Sequence, residues 1–156
     1  MVIHFIVVGQ KMPQWVQTGY GEYAKRLPAA CSLKLVEIPM APRAKTGSVP
    51  QYKTEEAKRI LAAVPKGAKR IVLDEKGQMP TTEGVSKKLD DWLASGQDIA
   101  LIVGGPDGLD ASLVQQAEWV WSLSKLTLPH PLVRVMVAEQ IYRAWSLLQN
   151  HPYHRN

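Results

Sequence analysis

The stretch Ile99-Ala-Leu-Ile-Val-Gly-Gly-Pro-Asp-Gly108 decides the fold. Its five apolar residues read as a strand buried on both faces, as the strands of a parallel sheet are. The run ends directly in a diglycine and a Pro-Asp-Gly turn. In open α/β sheets, ligands bind beyond the carboxyl ends of strands, and glycine there lets the backbone come close to a ligand. A plain turn accounts for the same residues equally well.

Working outward, the same grammar repeats. Val2–Val8 (VIHFIVV), Leu33–Ile38, Arg70–Asp74 (RIVLD) and Trp119–Leu123 also read as strands. Helices are expected between them. The first is opened by Pro13 and stopped by Pro28, with Val16, Tyr20, Tyr23, Ala24 and Leu27 on one face. The others cover about Thr54–Val64, Thr82–Ala94 and a short piece from Ala111 capped by Asp110. Pro39–Gln51 carries three prolines and a glycine and reads as a loop. A long helix runs from Pro131 to about Leu148. Regular alternation of strand and helix predicts an α/β fold: one domain, a mainly parallel sheet and helices on both faces. No internal repeat or linker divides the 156 residues.

Composition narrows the function. The chain is 46% hydrophobic and carries 19 Lys and Arg against 14 Asp and Glu, a net charge of +5. That excludes a disordered chain and permits a nucleic-acid partner without demanding one. The single cysteine, Cys31, excludes a disulfide framework or a Cys-rich zinc site, and His151 with His154 makes too few ligands for a metal. No apolar run reaches the roughly 18 residues that span a bilayer, and the apolar start lacks a basic region and a cleavage site. A cytoplasmic protein with no membrane contact is expected. Residues 41–70 gather Arg43, Lys45, Lys53, Lys58, Arg59, Lys66, Lys69 and Arg70 against Glu55 and Glu56. This is either a solvated face or a phosphate-binding surface.

Three further segments stand out. Leu123-Ser-Lys-Leu-Thr-Leu-Pro-His-Pro131 is apolar for a loop and stiffened by two prolines, fit to hold a flat ring or simply to lead into the next helix. The last helix is apolar around most of its circumference, with Glu139, Arg143, Ser146 and Asn150 as its main polar stripe. Burial on two sides is therefore expected, one on the sheet and one against a second subunit. Glu139 and Arg143 are also i,i+4 partners, so a salt bridge is their plain reading. The tail Asn150-His-Pro-Tyr-His-Arg-Asn156 either frays or orders over a site.

Gly9-Gln-Lys-Met-Pro13, Ile102–Gly108, Trp121–Arg134, Glu139–Ser146 and Asn150–Arg155, in this order and at these separations, resemble the small bacterial ribosomal RNA large-subunit methyltransferase H family (RlmH) of the SPOUT class. The likeness runs almost end to end. It implies a C-terminal trefoil knot, a homodimer packed through the last helix, and S-adenosyl-L-methionine as methyl donor, with no metal. The implied reaction is methylation of N3 of a pseudouridine in helix 69 of 23S rRNA, on the assembled ribosome. Positions matching the family's cofactor site fall on Leu73, Gly105, Leu123, Ser124, Lys125, Leu126, Thr127 and Leu128. For the acceptor side, Arg143, Arg155 and His154 are the candidates, with Glu139 as a rival base. Such chemistry needs a group that accepts the N3 proton or steadies the ring anion. Two rival readings stand beside it. One is a non-catalytic RNA-binding protein; the other is a flavodoxin-like enzyme holding phosphate at Gly104–Gly108.

Overall fold

The computed structural model describes residues 1–155, the last of them by its backbone alone. Five strands form one sheet: β1 (Val2–Val8), β2 (Ser32–Ile38), β3 (Lys69–Gln78), β4 (Ile99–Val103) and β5 (Trp119–Trp121). Their order is β2-β1-β4-β3-β5, and every pairing is parallel. The five helices are α1 (Gln14–Ala24), α2 (Val49–Ala63), α3 (Thr82–Ser95), α4 (Ala111–Gln115) and α5 (His130–Leu148).

Alternation along each strand divides the core between two faces. Ile3, Phe5, Val7, Ile71, Leu101 and Trp119 point to the face covered by α1, α3 and α5. Ile6, Val8, Val72, Ala100 and Ile102 point to the other, covered by Ala57 and Ile60 of α2 and Leu113 of α4. Both faces are covered, which is why the strands read as unbroken apolar runs.

Helix α5 lies over the sheet with α1 along one side and α3 along the other. Ser86 of α3 donates to the Ala144 carbonyl at 3.0 Å, and Thr82 donates to Gln140 Oε1 at 3.0 Å. Its wide apolar circumference is therefore largely accounted for inside one chain, and Ser146, expected on the polar stripe, is fully buried. Two elements differ in extent from expectation. Helix α2 starts in the segment read as a loop, because Ser48 and Gln51 form a capping box and Pro50 suits the first turn. Strand β3 continues past Asp74: Leu73 and Gln78 both pair with Trp121, and residues 74–77 bulge out between them.

Candidate active site

The carboxyl ends of β3, β4 and β5 release three segments that meet in two adjoining clefts. One, about 160 Å³, is lined by Leu73, Val103, Leu123, Ser124, Leu126, Thr127, Leu128 and Val133 with Asp74 and Glu75. The other, about 320 Å³, runs from Leu73, Asp74, Glu75 and Val103 along Gly104–Leu109. The structure thus brings together Leu73, Gly105, Leu123, Ser124, Leu126, Thr127 and Leu128. Lys125 sits in the same loop but is exposed and lines neither cleft.

The diglycine turn is built by packing. A Cβ on Gly104 would lie 2.8 Å from the backbone carbon of Gly108, and one on Gly105 would lie 3.1 Å from Val8 Cγ1. Gly108 N–H closes the turn onto the Gly105 carbonyl at 3.0 Å, with Gly108 at φ +82°. The plain-turn reading of these residues therefore holds together with their place in a cleft wall. Arg43 braces the turn from outside, 2.7 Å from Asp107 Oδ2 and 3.7 Å from the buried Glu56, with its guanidinium 4.3 Å from the centroid of the Tyr52 ring. Opposite the turn, Ser124 Oγ accepts from Leu126 N–H at 2.9 Å, and Ser122 N–H donates to the Gln78 carbonyl at 2.7 Å. Leu126 is left 73% exposed at the loop tip, an apolar side chain in want of cover.

Sequence reasoning missed the clamp behind the loop. Arg134 is 2% exposed. Its Nη1 donates to Glu37 Oε2 at 2.8 Å, its Nη2 to the Gly9 carbonyl at 2.8 Å and its Nε to His130 Nε2 at 3.0 Å. His130 also hydrogen-bonds the backbone of Gly104. Since Nε2 is an acceptor, the network assigns the ring proton to Nδ1. Burial, and then the Arg134 charge, push the His130 pKa below its usual range. Side chains from the start of α5 thus tie the ends of β1, β2 and β4 together beside the clefts. The available signal was an arginine placed off the polar stripe of its helix.

The candidates for the acceptor side lie elsewhere in the chain. Glu139 Oε1 accepts from Arg143 Nε at 2.7 Å and from the Tyr153 hydroxyl at 3.1 Å, while Oε2 accepts from Gln140 at 2.8 Å. The i,i+4 salt bridge is therefore present. The tail does not run off into solvent: Pro152–Arg155 forms a 3-10 turn packed on α5, with the Tyr153 ring 4.8 Å from that of Tyr142. Burial pushes the Tyr153 hydroxyl up to about 12, and the Glu139 charge adds to the shift. His154 Nδ1 is buried with no hydrogen-bond partner among the described residues. The Arg155 side chain lies outside the described residues. Arg143 stands 10 positions beyond Val133, the α5 residue that lines the first cleft, on the order of 15 Å along the axis, and Glu139 stands 6 positions beyond it, on the order of 9 Å. Arg143, and the turn that holds His154 beyond the end of α5, thus stand several helical turns along α5 from the cleft lining of their own chain.

The basic segment divides in two. Arg43 and Arg59 hold structure, Arg59 through Glu55 at 2.8 Å and the Pro39 carbonyl at 3.0 Å, and Arg70 donates to Gln116 at 2.9 Å. Lys45, Lys58 and Lys66 form no ion pair among the described residues and face solvent. Among the described residues, no group of three or more His, Cys, Asp or Glu could hold a metal ion, and no helix is long and apolar enough to cross a membrane.

A family model described as "Predicted SPOUT methyltransferase" matches residues 1–154. The chain is 83% identical over 155 residues to a ribosomal RNA large subunit methyltransferase H from Hydrogenovibrio crunogenus, covering 99% of each. It is 55% identical to the protein of that name from Thioalkalivibrio sulfidiphilus, again covering 99% of each. A solved structure described as a probable methyltransferase, from Bordetella pertussis Tohama I, shares the fold at a TM-score of 0.57 and 14% identity, over 91% of this chain and 95% of that one. The family model and the close relative each span nearly the whole length, and the chain belongs to the SPOUT methyltransferase family, in its ribosomal RNA large subunit methyltransferase H branch.

Proposed function

We propose that this protein methylates N3 of a pseudouridine in helix 69 of 23S rRNA, on the assembled ribosome, with S-adenosylmethionine bound across the two clefts. The observation that carries the reading is the make-up of those clefts in a chain so close to a methyltransferase. Leu73, Leu123 and Leu128 offer apolar walls for an adenine ring, and the turn and the loop offer backbone donors and acceptors. The bound donor supplies an electrophilic methyl group on a sulfonium cation. Among the described residues, the charged side chains that line the two clefts are all carboxylates, which suits a cation and argues against a flavin phosphate. Its place in a methyltransferase branch argues against a non-catalytic RNA binder.

The chain's own residues do the rest. The Arg134–His130 clamp holds the cofactor loop against Gly104. On the acceptor side, Glu139 already accepts three hydrogen bonds, so its carboxylate is committed to holding Arg143 and Tyr153 in place. His154 makes no hydrogen bond through its Nδ1 among the described residues, so its ring is not committed as Glu139 is, and we assign it the N3 proton. We assign Arg143 and Arg155 to phosphate or to the ring anion, a role that suits a guanidinium. The target nucleotide must be unstacked for its Watson–Crick edge to be reached, which a hairpin loop allows at low cost.

The working unit is a homodimer in which the tail of one subunit completes the clefts of the other. The separation of His154 and Arg143 from their own clefts supports this, since apolar width alone is met within the chain by α1 and α3. The C-terminal trefoil knot belongs to the same reading, supported by the packing of 123–128 against the ends of β3 and β4 and by the His130–Gly104 bond.

Mass spectrometry of helix 69 from cells lacking the protein tests the activity: the methyl group should be absent and return with the gene. A helix 69 that stays methylated sinks the proposal. Mixing Gly105→Trp and His154→Ala proteins, each inactive alone, should restore part of the activity; no rescue rules out completion across the dimer.

A further inference from the structure

The clefts are acidic in a basic protein. Asp74, Glu75 and Asp107 line them, and among the described residues no Lys or Arg does, although the chain carries a net +5; Lys53 and Lys76 meet the same carboxylates only in the adjoining hollow beside α4. Asp107 is matched by Arg43 at 2.7 Å. Asp74 and Glu75 are in no ion pair among the described residues. Asp74 Oδ1 accepts the Lys76 N–H at 2.9 Å, and its other oxygen accepts no hydrogen bond among the described residues. Both carboxylates stand in the wall the two clefts share.

Their place is fixed by the bulge of β3. Leu73 and Gln78 pair with the same residue, Trp121, so the four residues between them must loop out. Gly77 makes the loop possible, since a Cβ there would lie 2.6 Å from the Val120 carbonyl oxygen. Two carboxylates in no ion pair among the described residues, Asp74 half-buried and Glu75 exposed, are thereby held at the cleft by backbone geometry.

We propose that Asp74 and Glu75 make the site selective for the cationic methyl donor over its neutral product. The inference rests on the reading that the donor binds in these clefts. S-adenosylmethionine carries a sulfonium charge that S-adenosylhomocysteine has lost with the methyl group, and the two are otherwise alike. A negative wall attracts the first and is indifferent to the second. Product would then leave more readily than donor, and the site would not fill with spent cofactor.

Isothermal titration of the full-length protein with three ligands tests this without any turnover: S-adenosylmethionine, S-adenosylhomocysteine and sinefungin, which carries an ammonium in place of the sulfonium. Asp74→Asn keeps the acceptor for Lys76 N–H, and Glu75→Gln keeps the shape. The double variant should lose on the order of tenfold in affinity for the two cationic ligands and less than about twofold for S-adenosylhomocysteine. Equal losses for all three, or an unchanged ratio between donor and product, overturn the inference. A salt series on the wild type needs no variant to fold. The donor-to-product affinity ratio should fall as salt rises from about 20 mM to about 500 mM, and a flat ratio also overturns it. Wild-type protein that binds none of the three overturns the donor-site reading itself, a result distinct from a ratio that does not move.

Discussion

Arg134 Nε donates to His130 Nε2 at 3.0 Å, one helical turn apart at the start of α5. The same guanidinium reaches Glu37 and the Gly9 carbonyl, so one buried side chain joins the ends of two strands to the start of α5 and the loop that leads into it. Truncating it strands three partners at once. Arg134→Ala should destabilise the fold by about 3 kcal/mol, and Arg134→Lys, which keeps the charge but loses the fork, by about half of that. Urea denaturation measures both. A loss under about 1 kcal/mol for the alanine variant would show that the clamp is incidental.

Acid should loosen this clamp. The folded protein holds the His130 pKa below its unfolded value of 6.5. The unfolded chain therefore binds the proton more tightly, and stability from this group is complete above that value and is lost as pH falls below it. Between about pH 7 and pH 5 the wild type should lose more melting temperature than His130→Asn. Parallel melting curves for the two proteins would exclude His130 as the titrating group.

The two glycines of the turn should respond unequally. An alanine at 104 meets backbone at 2.8 Å, while one at 105 meets a valine methyl group at 3.1 Å that can shift. Gly104→Ala is expected to cost about 2–3 kcal/mol and Gly105→Ala about 1 kcal/mol. Donor titration should follow the same order, and the reverse ranking would show that binding of the ligand, rather than packing, governs the turn.

Charge in the segment 41–70 should separate by task. Replacing Lys45, Lys58 and Lys66 with glutamine should leave the melting point within a degree or two and flatten the salt dependence of ribosome binding, by about one unit of slope for each phosphate no longer neutralised. Replacing Arg43 or Arg59 should lower the melting point and leave that slope nearly alone. Filter binding across a salt series reads the first effect, and calorimetry the second.

Strands were the easiest part to read, because burial on both faces turns them into apolar runs such as Val2–Val8 and Ile99–Val103. Their order was not legible, since nothing in β1 states that β4 will be its neighbour. The start of α2 was hidden among prolines, although Ser48 and Gln51 spell a capping box. The return of β3 to Trp121 was invisible because Asp-Glu-Lys-Gly looks like a turn, which locally it is. Residues 123–128 were singled out by likeness and by their apolar, proline-stiffened sequence, and all but Lys125 line a cleft, whereas Arg134 and His130 could not be ranked until the strand ends they join were seen together. Apolar width on α5 suggested a second subunit, yet α1 and α3 supply most of that cover.

The pairing of β1 with β4 sets a timetable for synthesis. Ile3 must wait for Ile99, nearly a hundred positions later, before its second edge is closed. At about 5–20 residues per second, the newborn amino terminus stays sticky for several seconds, and α5 arrives only after that. A ribosome that stalls late would release a chain with a sheet but no lid, and such truncated products should be prime clients for chaperones and proteases.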